Sequence, residues 1–190
     1  MKSIHPTTAR NNLETAARVI LDCTHEDVTR EGLKGTPARF ALSMLKLTEG
    51  YLMDPKTILS AQFSDVNDLV ISKGIPFYSL CEHHLLPFFG TVSIAYLPHK
   101  KVIGISKLAR LLDVFARRLQ IQERIGEQVT AALMKYLQPK GAACIIEATH
   151  MCMRMRGVNK QESVMSTSSL KGVFLKEASA RQELFQLIKG

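Results

Sequence analysis

The chain has 190 residues, 46% of them hydrophobic and 22% charged, with a formal net charge of +8 from 25 Lys+Arg against 17 Asp+Glu. That balance supports one buried core. It excludes wholesale disorder and, with no apolar run approaching the roughly 18 residues a bilayer demands, a membrane span. A basic surface attracts polyanions, but there is no Trp, aromatics are 6%, and no RNA-binding or helix-turn-helix signature is present, so a phosphate-rich small substrate accounts for the charge better than nucleic acid.

Residues 1–11 are polar and read as frayed, with no secretory leader and a cytoplasmic location expected. From Asn12, apolar residues at Leu13, Ala16, Ala17, Ile20 and Leu21 fall on one helical face. Thr36-Pro37 reads as an N-cap followed by proline in the first turn, opening a second amphipathic helix through Phe40, Ala41, Met44 and Leu45 to about Gly50. Asp54-Pro55 marks a boundary, giving a helical region over 1–58 and a second domain over 59–190.

Past residue 65 the pattern becomes β-rich. Strands are expected at Asp68–Ile71, Pro76–Leu80 and Phe89–Leu97, the last stopped by Pro98. Ser106 reads as the cap of a helical stretch through Leu108, Leu111, Leu112, Phe115 and Leu119. A second run holds Ile125, Val129, Ala132, Leu133 and Tyr136, and the phase slip at Gln120–Gln122 predicts a break between the two. Further strands are expected at Ala142–Ala148 and Ser163–Ser169, and a last helix over Phe174–Gly190. Helices, then strands, then helices, then strands is an α+β order rather than alternating βαβ units.

Without a leader, the cysteines Cys23, Cys81, Cys144 and Cys152 point to metal ligands or buried thiols rather than disulfides. Cys23 and Cys144 sit in apolar patterns and read as core. Cys81 and His84, three apart, can close on one metal from a single turn, and Cys152 follows a predicted strand end. Together they would make three protein ligands with a fourth position open, the arrangement of catalytic zinc, with His83 and His150 as acid/base candidates. The alternative at this level is buried thiols beside satisfied histidines. Lys107, Arg110, Arg117, Arg118, Arg154, Arg156 and Lys160 flank these segments. They read as phosphate binders or as a solvated face, with Arg117 and Arg118 structural. Glu123, beside Gln122, reads as a helix-start carboxylate favoured by the dipole.

Five longer motifs occur in order: SLCEHHLLPFFG at 79–90, GISKLAR at 104–110, FARRLQIQER at 115–124, IEATHMCMRMRG at 146–157 and TSSLKGVF at 167–174. Over about Gly32 to Phe174 the chain resembles the GTP cyclohydrolase I family, with Thr36-Pro37 and Arg39 fitting its helical N-terminal part. The resemblance implies that one zinc per subunit is held by Cys81, His84 and Cys152, and that His83 and His150 are catalytic. It implies that Glu123 with Gln122 recognises the guanine edge, and that Ser106, Lys107, Arg110 and Arg156 hold the ribose and triphosphate. The implied reaction opens the imidazole ring of GTP at C8 by zinc-activated water, releases formate, and recloses to 7,8-dihydroneopterin triphosphate with the phosphates intact. The implied fold is an antiparallel sheet with helices on one face, the tunnelling fold, assembled as a homodecamer with active sites between subunits and with neither nucleic acid nor membrane as partner. Two other readings compete. A tunnelling-fold nitrile reductase would need NADPH and no catalytic zinc, and a zinc-stabilised nucleic-acid module would rest on the +8 charge alone.

Overall fold

The structure is a computed structural model and describes residues 5–64 and 68–189. The chain divides into two compact units, Met1–Glu49 and Gly50–Gly190.

The first unit contains α1 (Pro6–Cys23) and α2 (Thr36–Leu47), which pack on each other and bury Ala17, Pro37 and Ala41. α1 starts six residues before the expected Asn12, because Pro6 supplies a helical φ at a position whose N–H has no intrahelical acceptor. Residues 1–4 of the expected frayed stretch lie outside the described residues. The cap of α2 is Gly35, and Thr36 is already helical, its hydroxyl turned back to the Gly32 carbonyl. Cys23, read as a core thiol, is exposed at the end of α1.

The second unit opens with a 3₁₀ turn at Glu49–Leu52 and α3 (Pro55–Ile58), capped by the Asp54 carboxylate on the Lys56 N–H. Strands β1 (Gln62–Ser64) and β4 (Lys101–Ile103) pair with each other, too short to stand out in the sequence. The main sheet holds β2 (Val70–Cys81), β3 (Pro87–Leu97), β5 (Leu119–Gln120), β6 (Gly141–His150) and β7 (Met165–Gly172) in the order β5-β2-β3-β6-β7. The two segments expected at 68–80 are one strand. Gly74, at φ +65°, takes up the irregularity where register shifts between Ser72 and Ile75. β2, β3, β6 and β7 form an antiparallel meander, and β5 adds a parallel edge of two residue pairs beside Leu80 and Cys81.

The phase slip does split the long helical run. α4 (Ser106–Ala116) and α5 (Gln122–Tyr136) flank β5, so Leu119 and Gln120 are strand, Ile121 caps α5 and Gln122 opens it. Ser106 is the first helical residue after Ile105 rather than a cap, and its side chain makes no capping bond. α4 and α5 cover one sheet face, where Leu111, Leu112, Ile125 and Leu133 share a core with Phe77, Phe88, Ile94 and Ile146. Strand alternation sends Ala95, Ala143 and Ile145 to the opposite face. There, two further helices supply Phe174 and Leu184: α7 (Val173–Lys176) and α8 (Ala178–Lys189), split by extended backbone at Glu177. Gly190 lies outside the described residues. A short helix, α6 (Met151–Arg154), leaves the end of β6.

Arg118 is structural. It donates to the carbonyls of Val114 at 2.6 Å and Gly50 at 2.9 Å, with its guanidinium over the rings of Phe115 and Tyr51. At Gly90, where β3 pairs closely with β6, a Cβ would stand 1.9 Å from the Glu147 carbonyl oxygen. Gly90→Ala should therefore force the strands apart and cost about 3 kcal/mol in a urea unfolding titration. An unchanged midpoint would mean that β3 and β6 do not meet here as described.

Candidate metal and substrate site

The site begins where β2 runs out at Cys81. A tight turn follows: the N–H groups of His84 and Leu85 both donate to the Cys81 carbonyl, at 3.3 and 2.8 Å, and the Cys81 N–H donates to Leu86 O at 2.9 Å. Leu85 is held at φ +56°, an unfavourable region for a side chain with a Cβ, and this strained residue lets the chain fold back. The turn brings His84 Nδ1 to 3.8 Å from Cys81 Sγ.

Cys152 reaches the same place from the far side of β3. Register pairs Leu80 with Pro87 and Phe88 with His150, so the ends of β2 and β6 lie level across the start of β3. Cys152, in the single turn of α6, then completes a group in which the ligand atoms of Cys81, His84 and Cys152 all lie within 4.8 Å of one another. Cys81 is buried, Cys152 half-buried and His84 exposed, so the group opens to one side. Burial, and then the neighbouring Cys81 thiol, push the Cys152 thiol up. Two crowded thiols resist ionising together unless a cation lies between them. Two sulfurs and an imidazole with an open fourth position suit a zinc-like cation. Cys144 stands apart, fully buried, with its thiol pushed up to about 12.

His150 stacks flat on Phe88, ring centres 4.6 Å apart and planes 5° off parallel, with Nε2 2.8 Å from Gln122 Oε1. Burial lowers its pKa, and the Glu123 carboxylate works the other way. His83 is exposed, its Nδ1 3.9 Å from Cys81 Sγ. Glu123 is exposed in the first turn of α5, and Arg156 is exposed but close enough to favour the Cys152 thiolate. Gln122, expected at the guanine edge, is 1% exposed and its amide is already bonded to Ile146 O, Met165 O, Thr167 Oγ1 and His150.

Ser106, Lys107 and Arg110 are not drawn into this cluster. They occupy the first turns of α4, and among the described residues their side chains make no hydrogen bond or ion pair. Lys107 and Arg110, three apart, share a helix face with their charges uncommitted.

Two contributors had no local signal in the sequence. Glu82, inside the metal turn, is gripped through both carboxylate oxygens by Arg124, which holds its carboxyl below the usual range, and its N–H donates to Gln120 O at 3.0 Å. The Glu82–Arg124 pair spans 42 residues, so no spacing rule finds it.

Fold and site together define a class: an α+β protein in which Cys81, His84 and Cys152 offer two sulfurs and an imidazole that could hold one metal ion. The profile of one family, GTP cyclohydrolase I, matches residues 13–189. A GTP cyclohydrolase 1 of Wolinella succinogenes is 54% identical over 179 residues, 93% of this chain and 96% of that protein. One of Campylobacter lari is 51% identical over 94% of this chain and 95% of its own length, and one of Chlorobium chlorochromatii is 48% identical over 94% and 81%. The chain belongs to the GTP cyclohydrolase I family.

Cys152→Ser should abolish retained metal, measured by elemental analysis after dialysis against a weak chelator, with the far-ultraviolet dichroism unchanged. Arg124→Gln should leave all three ligands in place yet weaken metal affinity by about tenfold, because it frees the turn that carries two of them. Full metal retention by Cys152→Ser would remove that residue from the ligand set.

Proposed function

We propose that this chain is a GTP cyclohydrolase I. It opens the guanine imidazole ring of GTP at C8, releases formate, and recloses the product to 7,8-dihydroneopterin triphosphate. The observation that carries the reading is the convergence of Cys81, His84 and Cys152 within 4.8 Å, in a chain of this family, with His150 and Glu123 alongside. The metal is zinc, one per subunit; held there, it supplies an activated water near neutral pH.

The chain's own residues do the rest. Glu123, exposed at the head of α5, accepts N–H bonds from the guanine edge. His150, braced by Phe88 and Gln122, and the exposed His83 exchange protons with the opening ring. Lys107, Arg110 and Arg156, with Ser106, hold ribose and triphosphate. The phosphates are positioned, not cleaved, so these cations act through binding energy and orientation.

The uncommitted cations of α4, without contact to the Cys-His-Cys group of their own chain, support a site completed by a neighbouring copy, as in a homodecamer with active sites between subunits. The catalytic residues all fall within 59–190, which supports assigning the chemistry to that domain and leaving 1–58 as a helical region. No described helix is long and apolar enough to cross a membrane. The reading includes a cytoplasmic location and GTP as the only nucleotide-derived partner.

Zinc-loaded protein given GTP should yield formate and dihydropterin in equal amounts, followed by enzymatic formate assay and by ultraviolet absorbance in one tube. His150→Ala should keep its zinc and lose about 10²–10⁴ in turnover. Glu123→Ala should raise KM for GTP by roughly 10- to 100-fold. Neither product from a zinc-replete oligomer would exclude GTP as the substrate.

A further inference from the structure

Gln122 is bound more tightly than a substrate contact requires. It stands at the head of α5, 1% exposed, and its amide nitrogen donates to Ile146 O at 3.1 Å, Met165 O at 3.0 Å and Thr167 Oγ1 at 3.1 Å. Two of these partners are backbone carbonyl oxygens, which only accept, so the orientation of the amide is not open to a flip. Its oxygen therefore faces His150 Nε2, 2.8 Å away. An amide oxygen accepts, so Nε2 is the nitrogen that carries hydrogen. The Nε2–H exists on both the neutral and the charged ring, so this assignment does not depend on where His150 titrates. The ring lies flat on Phe88. Turned over, it would present a carbon to the amide oxygen and lose the bond. Among the described residues, Nδ1 has no hydrogen-bond partner in the chain.

We propose that Gln122 is a positioning residue rather than a guanine contact: it locks His150 as the Nε2–H tautomer and leaves Nδ1 as the nitrogen that exchanges a proton with substrate. When the charged ring gives its Nδ1 proton to a substrate nitrogen, the positive charge leaves with that proton. The ring that remains is neutral imidazole, still donating Nε2–H to Gln122. No second proton carrier is needed at His150. The buried amide thus does for this histidine what a buried carboxylate does for the histidine of a hydrolase triad, but without adding a charge.

The role in turnover rests on the reading of this site as a GTP cyclohydrolase I, whereas the tautomer does not. The test begins with zinc-loaded full-length protein carrying ¹³C,¹⁵N-histidine, examined by solid-state NMR at pH 8 without GTP. The His150 signal is assigned by its loss in His150→Asn. The Nε2–H tautomer is expected, and an Nδ1–H tautomer or an even mixture overturns the proposal. Gln122→Met keeps the length of the side chain and removes its acceptor. It should mix the tautomers and lower kcat by about 10²-fold, with KM for GTP within about twofold of the parent. A rise in KM with kcat unchanged overturns the proposal and returns Gln122 to the guanine edge. If Gln122→Met fails to fold, the parent spectrum still decides. A parent protein that shows the Nε2–H tautomer but does not turn over GTP would keep the clamp and discard the substrate.

Discussion

The site depends on the register of three strands. β3 lies between β2 and β6, and its pairing with each sets where Cys81 and His150 stop relative to one another. A slip of one residue in either ladder would turn every side chain of a strand to the other face. It would part the two thiols, and it would also move Ile94 and Ile146 out of the core under α4 and α5. The burial of that core therefore also holds the metal group. The close approach at Gly90, against Glu147, locks the same ladder two pairs from His150.

Around this register the polar groups divide by depth. Gln122 and Gln120 are buried and their amides are paired, Gln120 with Phe115 O and Gln128, and Gln122 with β6, β7 and His150. A buried amide left unpaired costs far more than a paired one contributes, so such groups specify a single arrangement. The Glu82–Arg124 pair is partly solvated. As an isolated salt bridge it would add little stability, but its bidentate geometry orients the turn that carries Cys81 and His84. Arg110 and Arg156 are exposed and Lys107 is half-buried.

Much of the fold was legible because its signals are local. The apolar spacing of Leu108, Leu111 and Leu112 marks α4, the slip at Gln120–Gln122 marks the break, and Pro98 ends β3. The misreadings also have local causes. Gly74 and Pro76 made β2 look like two strands, although a positive φ at one glycine absorbs the irregularity within a single ladder. Polar residues 6–11 hid the first turns of α1, since an exposed helical turn has no apolar pattern to show. The pairs β1–β4 and β2–β5 are too short for alternation to register.

The sequence by itself determined the chemistry available: sulfur and imidazole donors at Cys81, His84 and Cys152, two further histidines at His83 and His150, and a basic balance suited to phosphate. Residue type and short spacing are properties of the chain alone, and family motifs are written in the same letters. Only the tertiary structure decided how those groups are used. It buried Cys144 away from the Cys81, His84 and Cys152 group, paired Glu82 with Arg124, and set the Gln122 amide against His150. Each of these depends on strands and helices distant in sequence meeting at a set register, and that register is fixed by packing of the whole sheet against α4 and α5, which no local pattern records.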